Sequence, residues 1–323
     1  MSYINSIGFY LPENKLTNED INKSHPEWSA HKISQKTGID VRYITDDEEL
    51  SSDLAVKAAN KLFENRNIDR NSIDYIILCT QSPDYLLPTT ACILQDRLSL
   101  SENIGATDIN LGCSGFIYGI GLAHGLIETK QVENVLFLTA ETYSKFIHPD
   151  DKSNKTIFGD AAAATLISKE CRSDINFKVG NFVYKTDGTG YDKLIMRNSG
   201  MRRENIEDQG LYMDGKEIFR FTSLKVPILI DECLEVNKMK KDDIDIYIFH
   251  QANRFMLQTI GKRAKIDQDK LFLDLSCGNT VSSTIPIAIK NAQEKGLLQK
   301  NGKILIAGFG VGLSMGATIL TID

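Results

Sequence analysis

The stretch TDINLGCSGFIYGIGLA, residues 107–123, passes from a strand-like run to small residues and then to an apolar, helix-like run, with one cysteine set between two glycines. A second stretch, FLDLSCGNTVSSTIPIA at 272–288, resembles it. Outward from this pair the likeness continues in order. SIDYIILCTQSPDY (72–85) resembles DIDIYIFHQANRFM (243–256), ENVLFLTAETYS (133–144) resembles GKILIAGFGVGLS (302–314), and GDAAAATLI (159–167) resembles GLSMGATIL (312–320). One such match arises easily between apolar runs, but four in the same order point to a duplicated unit. The last pair is spaced more closely than the others, which puts extra residues in the first half around SKFIHPDDKSNKT. The expected halves are 1–171, carrying the cysteine, and 172–323.

Within each half, short β-branched runs such as YIILCT and YIFH alternate with helix-like stretches such as DLAVKAANKLFENR and KVPILIDECLEVNK. That alternation predicts an α/β fold of βαβ-type units on a mixed or largely parallel sheet. In such sheets, binding residues gather beyond the carboxyl ends of the strands. Each repeat puts a distinctive polar residue there: Cys113 ends DINLG, His250 ends IDIYIF, and Asn279 follows LFLDLSCG. Two halves packed about a pseudo-twofold axis bring all three to a common site.

Composition narrows what that site serves. The 323 residues suffice for two domain-sized units or one large body, and 42% hydrophobic with 25% charged residues is ordinary for a soluble protein. A net charge of −6 argues against a nucleic-acid binder. Cys79, Cys92, Cys113, Cys171, Cys233 and Cys277 are scattered, with no CxxC pair and no zinc-like spacing to a histidine, so reduced thiols and no metal are expected. The start, MSYINSIGFYLPENK, has neither a basic region nor a long apolar core, so the expected compartment is the cytoplasm. The uncharged stretches 109–127 and 304–322 are long enough to span a bilayer, but repeated glycines break both, and buried α/β strands are just as apolar. No membrane insertion is expected.

A thiolate is a strong nucleophile, and a cysteine at a helix N-terminus has it stabilised by exposed N–H groups and the helix dipole. Gly112 and Gly115 allow a tight turn that sets the thiol at the base of a narrow tunnel. The other five cysteines read as small buried hydrophobes. A neutral imidazole at His250 can donate to a thioester carbonyl or exchange a proton. Asn279 donates from its amide but is no base near neutral pH. The loop GFGVGLSMG fits no dinucleotide or P-loop spacing. Its backbone N–H at Val311 is a candidate to join that of Cys113 in an oxyanion hole.

Taken together, KTGIDVRY (36–43), LLPTTACILQDRL (86–98), GCSGFIYG (112–119), FGDAAAATLI (158–167), HQANRFML (250–257), GNTVSSTIPIA (278–288) and GFGVGLSMGATIL (308–320) resemble the β-ketoacyl-acyl-carrier-protein synthase III family, condensing enzymes of the thiolase superfamily. The resemblance spans nearly the whole chain. It implies a thiolase-like fold with layered α-β-α-β-α architecture, Cys113 as nucleophile, His250 and Asn279 as the decarboxylation pair, and the amides of Cys113 and Val311 as oxyanion donors. The implied reaction is ping-pong: an acyl primer moves from a thioester to Cys113, malonyl-acyl-carrier protein loses carbon dioxide, and the enolate attacks the acyl-enzyme. No cofactor is implied. Related families divide at the third residue: degradative thiolases use a second cysteine near the C-terminus, where GFGVGLSMG has none, and elongating ketosynthases use a second histidine where Asn279 stands.

The resemblance also implies partners. Members that use coenzyme A often carry a tryptophan shortly before TGI and an arginine before FGD. Here Trp28 lies further upstream, Ile33 sits nearer that place and Lys152 takes the arginine's, leaving the primer carrier open between coenzyme A and acyl-carrier protein. An acidic carrier protein calls for a basic patch, for which Arg220, Arg254, Lys262 and Arg263 are the candidates, with Lys152 as the counterpart on the coenzyme A side. Leu87, in LLPTT, takes the place of the residue that reaches across a homodimer interface to gate the partner's acyl tunnel. Two other readings are an acyltransferase passing the Cys113 acyl group to an alcohol or amine, and a noncatalytic dimer partner of the chain-length-factor type. The last lacks the nucleophile, which is present here.

Overall fold

The octets NVLFLTAE and AAAATLIS are buried at every position, the mark of strands covered on both faces. They lie at the heart of a computed structural model that describes residues 1–172, 175–202, 204 and 210–323. In chain order the first half gives β1 (Tyr3–Tyr10), β2 (Asn14–Thr17), α1 (Asn18–Ser24), α2 (Ala30–Thr37), β3 (Val41–Ile44) and α3 (Ser51–Arg66). β4 (Tyr75–Cys79), α4 (Thr90–Arg97), β5 (Gly105–Ile109), α5 (Gly115–Glu128), β6 (Asn134–Glu141), α6 (Lys152–Lys155) and β7 (Ala161–Ser168) follow. Next come β8 (Phe177–Thr186), β9 (Leu194–Ile195), β10 (Tyr212–Met213), α7 (Gly215–Val236), β11 (Ile246–Phe249) and α8 (Arg254–Arg263). The chain closes with β12 (Leu271–Phe272), α9 (Thr284–Glu294), β13 (Lys303–Gly310) and β14 (Ser314–Ile322).

The main sheet runs β12-β11-β13-β14-β8-β1-β7-β6-β4-β5. About its middle the order is mirrored. In one set β4 is parallel to β5 and β6, and β7 is antiparallel to β6 and β1; in the other β11 is parallel to β12 and β13, and β14 is antiparallel to β13 and β8. The sets pair where Tyr3 and Ile4 of β1 face Lys178 and Phe177 of β8, with the Val179 N–H donating to the Ser2 carbonyl at 3.1 Å beside them. They act as two five-stranded layers rather than one continuous surface.

Helix α5 packs against β4, β6 and β7 of one layer and β13 and β14 of the other, while α9 touches β1, β7 and β11. Helix α3 covers the first layer from outside, and α7 covers the second. The result is the layered α-β-α-β-α arrangement. The first turns of α5, held between the two sheets, are covered on all sides, which explains why GFIYGI is so apolar; Phe116, Ile117 and Ile120 are fully buried, each stabilising the fold by about 1.5–3 kcal/mol, while Leu122 further along is half exposed. Gly119 is required for this packing because a Cβ there would enter the Phe137 ring.

The apolar stretch 109–127 is the nucleophile turn and α5, and 304–322 is the β13–β14 hairpin. Among the described residues no helix is long and apolar enough to cross a membrane. One expectation needs correction. LFLDLSCG reads as a strand ending at Asn279, but only Leu271 and Phe272 pair with β11. Beyond them the chain leaves the sheet, because the buried Gln251 side chain accepts the Asp274 N–H at 2.7 Å and turns it aside.

Candidate active site

Cys113 sits in the short turn between β5 and α5, where Gly115 N–H donates to Gly112 carbonyl at 2.7 Å. Ser114 and Ser314 share a 2.7 Å hydrogen bond, and Ser314 also donates to the Val311 carbonyl at 2.9 Å. The nucleophile turn is thus fastened to the Gly-rich loop between β13 and β14. Gly310 is needed at this crossing, since a Cβ there would lie 2.8 Å from Cys113 Cβ and 3.0 Å from its Sγ.

The backbone N–H groups of Cys113 and Val311 both act on the thiol, pulling its pKa down. Burial and the nearby Glu141 carboxyl outweigh them, and the thiol is pushed up to about 12. The expectation of a stabilised resting thiolate is therefore corrected: Cys113 is only 5% exposed, and desolvation of the charged form exceeds what two amides return.

His250 extends β11 by one residue, its N–H bonded to the Ala307 carbonyl at 2.8 Å. Its Nδ1 lies 2.7 Å from Thr284 Oγ1, and its ring meets Phe309 edge-on at 5.7 Å. Burial lowers its pKa to about 3, so the imidazole is neutral across the physiological range. The residues after it make the strand-to-helix turn: Gln251 bonds the Phe249 carbonyl, and Asn253 caps α8 by accepting from Met256 N–H at 2.9 Å.

Asn279 is held in its loop by the FGD segment of the other half. Its N–H donates to the Ile157 carbonyl at 2.9 Å, and its carbonyl accepts from Gly159 at 3.0 Å. The side-chain oxygen accepts the Val281 N–H at 2.9 Å, which fixes the amide orientation and leaves its NH2 as the donor end. Val281 pays for this loop with a left-handed φ of 55°, costly for a β-branched residue.

Cys113, His250, Asn279, Phe309 and Gly310 line one cavity of about 940 Å³. Arg254 and Lys36 reach the same cavity, as does Phe255, which is 61% exposed and stacked on Phe219 at 5.2 Å. Apart from Arg254, the proposed binding residues stand off the cavity lining. Lys262 and Arg263 are exposed on the last turn of α8; Arg220 pairs with Glu217 at 3.1 Å, and Lys152 pairs with Glu27. Ile33 is buried in α2. Leu87 is 80% exposed in the loop between β4 and α4 and does not line its own chain's cavity.

Sequence reading missed Glu141, Thr284 and the Phe219–Phe255 pair. Glu141 left a signal, a carboxylate closing an otherwise uncharged strand at the end where functional groups gather. Among the described residues no cluster of three or more histidine, cysteine or acidic side chains is arranged to hold a metal.

A two-layer sheet pair with a buried cysteine, histidine and asparagine converging on one cavity defines a thiolase-fold enzyme. The family profile for 3-oxoacyl-[acyl-carrier-protein] synthase III matches residues 107–188, and the profile for its C-terminal part matches 234–322. The chain is 36% identical to the β-ketoacyl-[acyl-carrier-protein] synthase III of Caldanaerobacter subterraneus subsp. tengcongensis over 97% of its length and 95% of that protein's. It is 37% identical to the enzyme of the same name from Clostridium perfringens, covering 97% of both chains. A crystal structure of a 3-oxoacyl-(acyl-carrier-protein) synthase III superposes with a TM-score of 0.94 at 40% identity, covering 99% of each chain. The chain belongs to the β-ketoacyl-acyl-carrier-protein synthase III family, acyl-transferring condensing enzymes of fatty acid biosynthesis.

Proposed function

We propose that the enzyme performs the initiating decarboxylative condensation in two stages on Cys113, joining an acyl thioester primer to malonyl-acyl-carrier protein and giving a 3-oxoacyl-acyl-carrier protein. In the first stage Cys113 sulfur attacks the primer's carbonyl, the tetrahedral oxyanion is held by the amides of Cys113 and Val311, and the departing thiolate takes up the thiol's proton. A thiol near 12 and an imidazole near 3 are both neutral at rest, so that proton leaves only as the carbonyl arrives. In the second stage the malonyl C–C bond breaks, carbon dioxide departs, and the enolate oxygen accepts hydrogen bonds from His250 and the Asn279 amide. The enolate carbon attacks the acyl-Cys113 carbonyl, the C–S bond breaks, and the cysteine leaves as thiolate and regains from solvent the one proton that the turnover consumes.

The observation that carries this reading is the convergence of Cys113, His250 and Asn279 on one buried cavity, with two N–H groups already acting on the sulfur. Neutral His250 suits donation rather than ion-pair formation with the thiol. Arg254, Lys262 and Arg263 on α8 offer positive charge to an acidic carrier protein. The working form is a cytoplasmic homodimer whose Leu87 gates the neighbouring tunnel, and residues 1–171 and 172–323 are its duplicated halves. Intact mass spectrometry after incubation with a panel of acyl-coenzyme A and acyl-carrier-protein thioesters identifies the primer from the mass added. One acyl group on wild type and none on Cys113→Ala is the expected result; acylation surviving in that variant overturns the assignment.

A further inference from the structure

Glu141 closes β6 and is fully buried, yet neither stage above uses it. A carboxyl in that position must be compensated by hydrogen bonds. Oε1 accepts from the Ser282 hydroxyl at 3.3 Å, Oε2 accepts from the Ser82 hydroxyl at 3.0 Å, and the Gln81 N–H reaches the two oxygens at 3.2 and 3.1 Å. Gln81 and Ser82 follow β4 in the first half, whereas Ser282 belongs to the loop that presents Asn279. One carboxyl therefore ties two strand ends of the first half to the amide donor's loop in the second.

The grip falls where the loop most needs it. Val281, between Asn279 and Ser282, holds the left-handed conformation that its surroundings must impose. Ser283 adds a 2.8 Å bond to Thr139 of β6, and Thr284 holds His250. On the reading of Asn279 as an enolate donor, we propose that Glu141 is a positioning residue for the decarboxylation stage: by gripping Ser282 it fixes the Asn279 loop, and with it the amide, where the enolate forms.

The surroundings add a second signature. Burial raises the Glu141 pKa to about 8, with the charge of Asp160 adding to the rise and the Gln81, Ser82 and Ser282 bonds opposing it. The other titratable groups facing it are Cys79 at the end of β4, Cys113 in the nucleophile turn and Tyr143 after β6, each raised by its burial and then by Glu141. Near neutral pH the carboxyl is protonated, and the oxygen that carries the proton donates to its serine hydroxyl instead of accepting from it. Above about 8 it ionises and sets a negative charge beside a site that must accommodate an enolate.

The test measures malonyl-carrier-protein decarboxylation and acyl loading of Cys113 separately on the full chain. With Glu141→Ala, decarboxylation is expected to fall about tenfold or more while loading stays within about threefold of wild type. Ser282→Ala removes one arm of the grip and is expected to lower decarboxylation in the same selective way, which keeps the test open if Glu141→Ala does not fold. Glu141→Gln mimics the neutral carboxyl: it is expected to match wild type near pH 7 and to lack the decline in decarboxylation that wild type shows above about pH 8. Unchanged decarboxylation in Ser282→Ala, equal losses of loading and decarboxylation, or the same alkaline decline in Glu141→Gln each overturn the proposal. Failure of wild-type Cys113 to accept any acyl group instead overturns the reading on which it rests, and the loading arm reports that directly.

Discussion

Cys113 works inside an environment that keeps it protonated, and that sets the terms for its neighbours. His250 and Asn279 are neutral donors with their remaining polar atoms already engaged, His250 by Thr284 and Asn279 by Val281 N–H. His250→Ala and Asn279→Ala should each reduce decarboxylation by about 10²-fold, the effect of removing one hydrogen bond of about 3 kcal/mol to a developing oxyanion. Single-turnover acyl loading of both variants should stay near wild type; severe loss of loading in both would end this division of labour. The pH dependence follows from the lowered histidine. A group at about 3 stays neutral from about pH 5 to about pH 7, so wild-type decarboxylation should be flat there, whereas a histidine at its ordinary 6.5 would produce a step. That Cys113, His250 and Asn279 would meet at one cavity was legible in the sequence because each repeat sets a distinctive polar residue after an apolar run. The protonation of Cys113 was not legible, because its burial against β13 and the charge of Glu141 come from parts of the chain that no local stretch contains.

Elements whose partners are close in sequence, or whose pattern repeats, were readable: β4, β11 and helix α3 fall on the runs that suggested them, and α7 contains its run but begins ten residues earlier, at Gly215. The loop carrying Asn279 was not, since its shape depends on tertiary hydrogen bonds. The Asn279 backbone donates to the Ile157 carbonyl and accepts from the Gly159 N–H, and the adjacent Gly278, at φ 75°, lies over the buried side chain of Arg42. Arg42 of β3 is completely buried, and desolvation lowers its pKa to about 10. The guanidinium meets the Thr156 carbonyl just before FGD, the Asn18 side chain at the start of α1 and, at 3.4 Å, the Ile39 carbonyl. It therefore joins the KTGIDVRY segment to the one that holds Asn279. Arg42→Met fills much of the same volume but leaves those acceptors unpaired, which should cost about 2–3 kcal/mol in urea unfolding. A loss below about 0.5 kcal/mol, the range of surface substitutions, would show that Arg42 does not tie the two segments.

At the scale of the whole molecule, the mirrored order of the two five-strand sets explains why Cys113, His250 and Asn279 come from distant parts of the chain yet reach one cavity. The same sheet ends at β5, whose five residues are all half-buried. An end strand presents a row of backbone donors and acceptors that a second copy can engage. Near it the loop after β4 exposes Tyr85, Leu86 and Leu87 at 60%, 73% and 80%, more apolar surface than a loop tip needs. Leu87 has no role inside its own cavity, so its proposed work as a gate depends on a neighbouring subunit. The chain should therefore sediment as a dimer at assay concentration. Leucine is shorter than phenylalanine and flexible, so the tunnel should admit primers of medium length. Leu87→Phe narrows the gate: acetyl loading should survive while loading of longer chains declines, read by mass spectrometry across a chain-length series. An unchanged chain-length profile in a folded dimer would refute the gate, and a monomer with full activity would refute both the gate and the interface it requires.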